Sequence, residues 1–357
     1  MHWRRLPLLA LAMATLLAAL AGGLARLHWR FPLLTGSWIT YHGPLMAGGF
    51  LGTVICLERA VAVGRRSAYL VALLAGGGGL ALLVGLPREA GATAMALAAA
   101  GLVTLYATLW VRQPTPHTAT MGAGAACWLA GNLLWLAGWE VAEVVAWWLA
   151  FLVLTIAGER LELSRFRPPG RLGERLFVVA AALFFAGTLL TAVAPEVGWH
   201  LLGAGEVALA AWLGRYDLAR HTVRQHGLVR FVAICLLSGY AWLAAGGCFT
   251  LVVGAPAGGD LVYDLLLHPV FLGFVMAMIF GHAPIIFPAI LGRPLPFSPR
   301  FYLPLALLHL SLVARIAGDL SGFLPARAWG GLVNGVAILL FLLSTGAAAV
   351  AGARPRP

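Results

Sequence analysis

The stretch HPVFLGFVMAMIFGHAPIIFPAI, residues 268–290, carries no charged side chain over its whole length. About 20 consecutive apolar residues are what a helix needs to cross the hydrocarbon core of a bilayer. The rest of the chain repeats the pattern. Of 357 residues, 61% are hydrophobic and only 10% charged, and the mean hydropathy is +0.90, far from the balance of a soluble globule. Backbone polar groups in lipid must be satisfied internally, so apolar runs of this length form helices. The composition predicts an all-α, polytopic membrane helical bundle that makes one integral membrane domain over 1–357.

Working outward from 268–290, apolar runs and short turns divide the chain into twelve spans: roughly 6–26, 38–60, 67–86, 91–111, 117–138, 142–160, 174–194, 197–214, 230–253, 262–290, 301–319 and 328–351. The opening MHWRRLPLLALAMATLLAALAGGLA has the layout of a secretory signal, with Arg4 and Arg5 before an apolar run. The charge pattern favours a retained helix. Nineteen of the 24 basic residues, all of them arginine, fall at the termini and in the loops after even-numbered spans. The other loops hold Arg26, Arg30, Arg88 and Arg327, together with Glu89, Glu140, Glu143, Glu196, Asp260 and Asp264. By the positive-inside rule both termini are cytoplasmic, in a bacterial inner membrane. The net charge of +11 is thus a topology signal, with the lipid bilayer as partner and no nucleic acid implied.

Several chemistries are excluded. No Walker loop, GxGxxG, GxSxG or HExxH occurs, and Cys56, Cys127, Cys235 and Cys248 form neither CxxC nor CxxCH. The cysteines read as small packing residues inside spans.

Histidines are more informative. Of the ten, only His42, His268, His282 and His309 lie well inside predicted spans, where an imidazole is costly unless it is used. His42, in HGPLM, is predicted about one turn below the outer surface; His268, in HPVFL, is predicted one to two turns in on the same side. Two depth-matched imidazoles from separate helices can hold an iron porphyrin from both faces, or each can simply hydrogen-bond a carbonyl between helices. Gly48, Gly49, Gly52 and Gly273 would admit the flat macrocycle. Span 2 ends in ICLERAVAVGRR and span 6 in TIAGERLELSRF, a recurrent Glu-Arg at Glu58-Arg59 and Glu159-Arg160. Span 10 ends in ILGRPLPFSPR without the glutamate. A spacing of four spans predicts three units of four helices, a pseudo-threefold ring, although span 6 offers only Trp147 and Trp148 at the matching depth.

The twelve-span layout, HGPLM in span 2 and the span-10 histidine followed by glycine and FPAILGRPL resemble the haem-copper oxidase core subunit. They also resemble the related NnrS-type haem and copper membrane proteins associated with the response to nitric oxide. The resemblance implies haem b with His42 and His268 as iron ligands, a redox or gas-response role, and a quinol or cytochrome as electron donor. The sequence departs from the oxidases: Leu266 stands where a second span-10 histidine is needed, and spans 6 and 7 hold no copper-binding histidine. A complete oxygen-reducing centre is therefore not expected.

His282, lower in span 10, and His309 in span 11 are candidates for copper or a second haem, or for hydrogen-bonded core positions. Glu206, in LLGAGEVALAAW, is predicted to be neutral because desolvation disfavours its charge, and to serve a proton path or an inter-helix hydrogen bond. Arg315 and Asp319 are one turn apart and are expected to pair locally. Buried Glu and His would also serve a secondary transporter or proton-coupled permease, and HAPIIFPAI has the proline-broken character of a transporter helix.

Overall fold

The computed structural model describes residues 5–31, 35–256, 261–292 and 295–352, and its regular elements are all helical. Arg4, Arg293, Arg354, Arg356 and Asp260, which enter the charge pattern above, lie outside the described residues. Among the described residues twelve long helices follow one another: α1 (Leu6–Arg26), α2 (His42–Val63), α3 (Ala68–Leu83), α4 (Arg88–Arg112), α5 (Pro116–Leu136), α6 (Val141–Leu163), α7 (Gly170–Leu190), α8 (Pro195–Tyr216), α9 (Gly227–Val253), α10 (Leu261–Pro288), α11 (Tyr302–Ser321) and α12 (Leu324–Gly352). Each falls on one of the apolar runs.

Among the described residues, nine of the twelve are long and apolar enough to cross a membrane. The others are α3, with 16 residues, and α5 and α8, which carry Asn132 and Glu206. The protein is a multi-pass membrane helical bundle.

The helices group into two compact units, Met1–Thr155 with Ala289–Gly292 and Ile156–Pro288 with Arg293–Pro357. In the first, α1, α2 and α3 meet at small residues: a Cβ added to Gly79 would lie 2.8 Å from Cα of Gly49. Such contacts replace the hydrophobic driving force that lipid does not supply. The α6 residues from Val144 to Thr155 are all buried, as expected of a helix that is apolar on every face. They are fixed by aromatic contacts to α5, where Trp128 stacks on Phe151 at 4.7 Å and Trp148 Nε1 donates to Asn132 Oδ1 at 3.2 Å.

In the second unit α7 lies tightly on α8, and α8 on α9. A Cβ at Gly205 would meet the Phe184 backbone, and one at Gly203 would lie 2.8 Å from the Gly247 carbonyl oxygen. Phe280 of α10 stacks on Phe341 of α12 at 3.9 Å.

Two helices are not regular. In α2 a short α-helical piece, His42–Pro44, gives way to a π-helix over Leu45–Gly52, and α geometry resumes at Thr53. In α10 the α-helical Leu261–His268 gives way to a π-helix over Pro269–Val275, and α geometry resumes at Met276. A proline inside a helix lacks an N–H and presses on the carbonyl four residues back; a wider turn relieves the clash. Both wide segments come just after a histidine, the first starting after Pro44 and the second at Pro269. By contrast Pro284 and Pro288 sit inside α-helix, and the helix continues past the bend expected there. The span predicted from residue 38 is also interrupted. A five-residue helix, Gly36–Thr40, ends at Tyr41, so His42 is the first residue of α2 and not a turn inside it.

Candidate functional site

The densest buried chemistry lies in the second unit, where the start of α10, the end of α11 and the first turn of α12 meet. Asp264 is one turn into α10, Arg315 and Asp319 are one turn apart on α11, and Arg327 opens α12. Their exposures are 5% for Asp264 and 7% for Arg315 and Asp319, so these charges are withdrawn from solvent.

Arg315 does not pair with Asp319, as their spacing suggested. Its Nε donates to Asp264 Oδ2 at 2.8 Å and its Nη2 to Oδ1 at 2.6 Å. This two-point fit of guanidinium to carboxylate outcompetes the single contact available within one helix. Asp319 is taken by Arg327 instead, Nε to Oδ1 at 2.8 Å, and Arg327 Nε also lies 3.5 Å from Asp264 Oδ2. Both contacts are ion pairs out of line for hydrogen bonds.

His268 completes the cluster. One turn beyond Asp264, its Nδ1 lies 2.9 Å from Asp264 Oδ1 and 3.2 Å from the Asp264 carbonyl oxygen. Arg315 Nη2 donates to His268 Nε2 at 3.2 Å. A guanidinium only donates, so Nε2 accepts and the ring proton resides on Nδ1.

The other predicted residues stand apart from this cluster. Trp242 Nε1 donates to His309 Nδ1 at 2.9 Å, and His309 Nε2 donates to Ser238 Oγ at 2.9 Å. Ser238 in turn donates to the Ile234 carbonyl at 2.8 Å, so both nitrogens of His309 are engaged within the protein. His282 Nδ1 donates to the Met278 carbonyl at 2.8 Å. Among the described residues no group of three or more His, Cys, Asp or Glu is placed to hold a metal ion. Glu206 is fully buried and neither of its carboxyl oxygens has a hydrogen-bond partner among the described residues. It packs on Gly247 of α9, where a Cβ would lie 2.8 Å from its own.

In the first unit His42 Nδ1 lies 2.6 Å from the Ala19 carbonyl oxygen, and its ring covers Gly23 of α1. Each of His42 and His268 thus turns Nδ1 to an oxygen, the outer contact that orients an iron- or zinc-bound imidazole. In His268 the Nε2, the atom a metal would take, receives Arg315. As it stands His268 does not fit an iron ligand.

Sequence reading missed Asp264 and Arg327 as site residues, because both were counted with the loop charges that set the topology. The available signal was the spacing of Asp264 and His268 in YDLLLH, one helical turn apart within an apolar run. A carboxylate so placed can orient the imidazole.

No curated protein and no solved structure matches the chain. A match to one family extends over residues 5–350. The chain therefore belongs to the family described as Domain of unknown function (DUF8744).

Proposed function

We propose that the protein is a proton-coupled permease of the bacterial inner membrane and that the cluster of Asp264, His268, Arg315, Asp319 and Arg327 is where the proton acts. All twelve helices cross in this reading, and both termini are cytoplasmic, in accord with the arginine-rich loops after even-numbered spans. The observation that carries it is the electrical balance of a buried cluster. Two guanidiniums face two carboxylates, and the contacts of His268 fit the tautomer with its proton on Nδ1.

Protonating either carboxylate leaves one buried guanidinium without its counter-charge, a state that costs several kcal/mol per uncompensated ion. The ends of α10, α11 and α12 relieve that cost by exchanging partners, or an anionic solute enters with the proton. Either response couples protonation to movement.

The test is a pH jump on liposomes containing the protein, adsorbed to a solid-supported electrode. Wild type gives a transient charge displacement, and Asp264→Asn and Asp319→Asn abolish it. A wild-type signal no larger than that of empty liposomes sinks the proposal.

A second reading, a b-type haem protein using His42 and His268, is favoured by one observation: both histidines precede a π-helical segment, and such segments recur at functional sites. The match does not extend to α6, which is α-helical throughout Val141–Leu163, so it supports equivalence of α2 and α10 more than a threefold ring. Absorption spectra of the purified protein, oxidised and reduced, decide this reading: without a haem band after haem-sufficient expression it fails.

A further inference from the structure

A second concentration of charge lies at the other end of the second unit. Arg165 and Arg167 follow α6, and Arg171 and Arg175 open α7. Arg215 lies in the last turn of α8, Arg220 lies in the short helix Ala219–Thr222 of the connection to α9, and Arg224 follows it. Two contacts bring these stretches together. Trp212 Nε1 donates to the Gly173 carbonyl at 2.7 Å, and the Tyr216 ring lies against Gly173, where a Cβ would come within 3.2 Å of it. Arg220 Nη1 then donates to the Arg215 carbonyl at 2.7 Å.

All seven arginines are exposed, and among the described residues none forms an ion pair. Glu162 and Glu174 are interspersed with them and pair with none. The neighbouring Asp217 is unavailable, because Arg160 holds it through Nε to Oδ2 at 2.8 Å and Nη2 to Oδ1 at 3.2 Å. His221 sits among Arg167, Arg215, Arg220 and Arg224; partial burial and then these guanidiniums hold its imidazole below its ordinary range. It therefore leaves the corner's positive charge to the arginines.

The second feature is apolar. On α7 Leu172, Leu176 and Val179 are 68%, 46% and 65% exposed, and their spacing of four and three places them on one helix face. The face begins among the arginines and runs along a helix long and apolar enough to cross the membrane. Phe166, 69% exposed, adds an aromatic ring at the same end.

We propose that this corner binds an anionic phospholipid, its headgroup phosphate held by the arginines around His221 and its acyl chains lying along Leu172, Leu176 and Val179. Guanidiniums without acidic partners match phosphate oxygens through two-point hydrogen bonds. The ammonium of a zwitterionic headgroup is repelled by the same charges. Free phosphate would satisfy the arginines and leave the apolar face without a role.

The test uses the full-length protein in nanodiscs or detergent, titrated with phosphatidylglycerol, cardiolipin, phosphatidylcholine or inorganic phosphate, with bound lipid counted by native mass spectrometry. Each arginine near an anionic surface contributes roughly fivefold in affinity. The triple variant Arg167→Gln/Arg220→Gln/Arg224→Gln should therefore bind anionic lipid about a hundredfold more weakly. The corresponding triple lysine variant, which keeps the charges without the two-point hydrogen bonds, should recover only part of the binding. Arg112→Gln, an exposed change at the end of α4, should leave it unchanged. Equal binding of phosphatidylcholine overturns the proposal, as does unchanged selectivity in the glutamine variant. Equal losses in Arg112→Gln and the triple variant also overturn it, since the attraction would then be diffuse. Stabilisation by inorganic phosphate as strong as by anionic lipid overturns the lipid assignment.

Discussion

Arg160 and Asp217 form a two-point ion pair with almost no solvent access, joining the last turns of α6 to the residue that follows α8. Asp217 Oδ1 also accepts from the Ala219 N–H at 2.7 Å, so the pair shapes the chain reversal as well as bridging it. Removing one partner strands a buried charge, at about 3–5 kcal/mol. Arg160→Ala and Asp217→Ala are each expected to lower stability by that order in reversible denaturation from mixed micelles. The double variant should lose clearly less than the sum. Additive losses would mean that the two side chains act independently.

At the other cluster, stability and function separate. Replacing the pair together, Arg315→Met with Asp264→Leu, removes both charges and keeps apolar volume, which is often neutral for folding. The double variant should remain folded and monodisperse, while the charge displacement on a pH jump disappears. A folded variant that keeps the full displacement would remove Asp264 from the proton reading.

Glu206 presents a different imbalance. A buried carboxyl with both oxygens unpartnered forgoes hydrogen bonds that water would supply, worth about 1–3 kcal/mol. Glu206→Met, similar in length and apolar, is expected to raise the unfolding midpoint in micelles, whereas Glu206→Ala lowers it by opening a cavity. A methionine variant less stable than wild type would mean that the acid has a partner in the membrane-bound protein.

For the haem reading, His42→Ala and His268→Ala should each convert a six-coordinate spectrum to a five-coordinate or weakly held one, and the double change should abolish binding. His282→Ala and His309→Ala should leave the spectrum intact. Because Arg315 donates to His268 Nε2, Arg315→Ala should raise haem occupancy on titration. Unchanged spectra in the His42/His268 double variant would end this reading.

Much of the helix layout was legible in the sequence. The run predicted at 142–160 is the helix Val141–Leu163, and that at 230–253 is Gly227–Val253, because length and hydropathy suffice to mark a segment that cannot stay in water. The break at Tyr41 was overlooked, although Gly43-Pro44 just beyond it is a turn signal. The partner of Arg315 was not legible: a neighbour one turn away in sequence was visible, whereas Asp264, 51 residues distant, wins through geometry that only tertiary packing creates. Burial of His309 was readable, but its Trp242 and Ser238 partners lie on another helix.

The π segments carry a consequence for motion. A wide turn holds one residue more than its α counterpart, and it can migrate along a helix by trading hydrogen bonds one at a time, without fraying either end. Each side chain it passes is carried about 100° around the axis and roughly 1.5 Å along it. The wide turn over Pro269–Val275 begins immediately after His268 and has the Trp242 ring against Gly273. Travel of that turn would rotate the lower part of α10 beneath a stationary Asp264, so the helix holds within its own backbone a spare residue of slack.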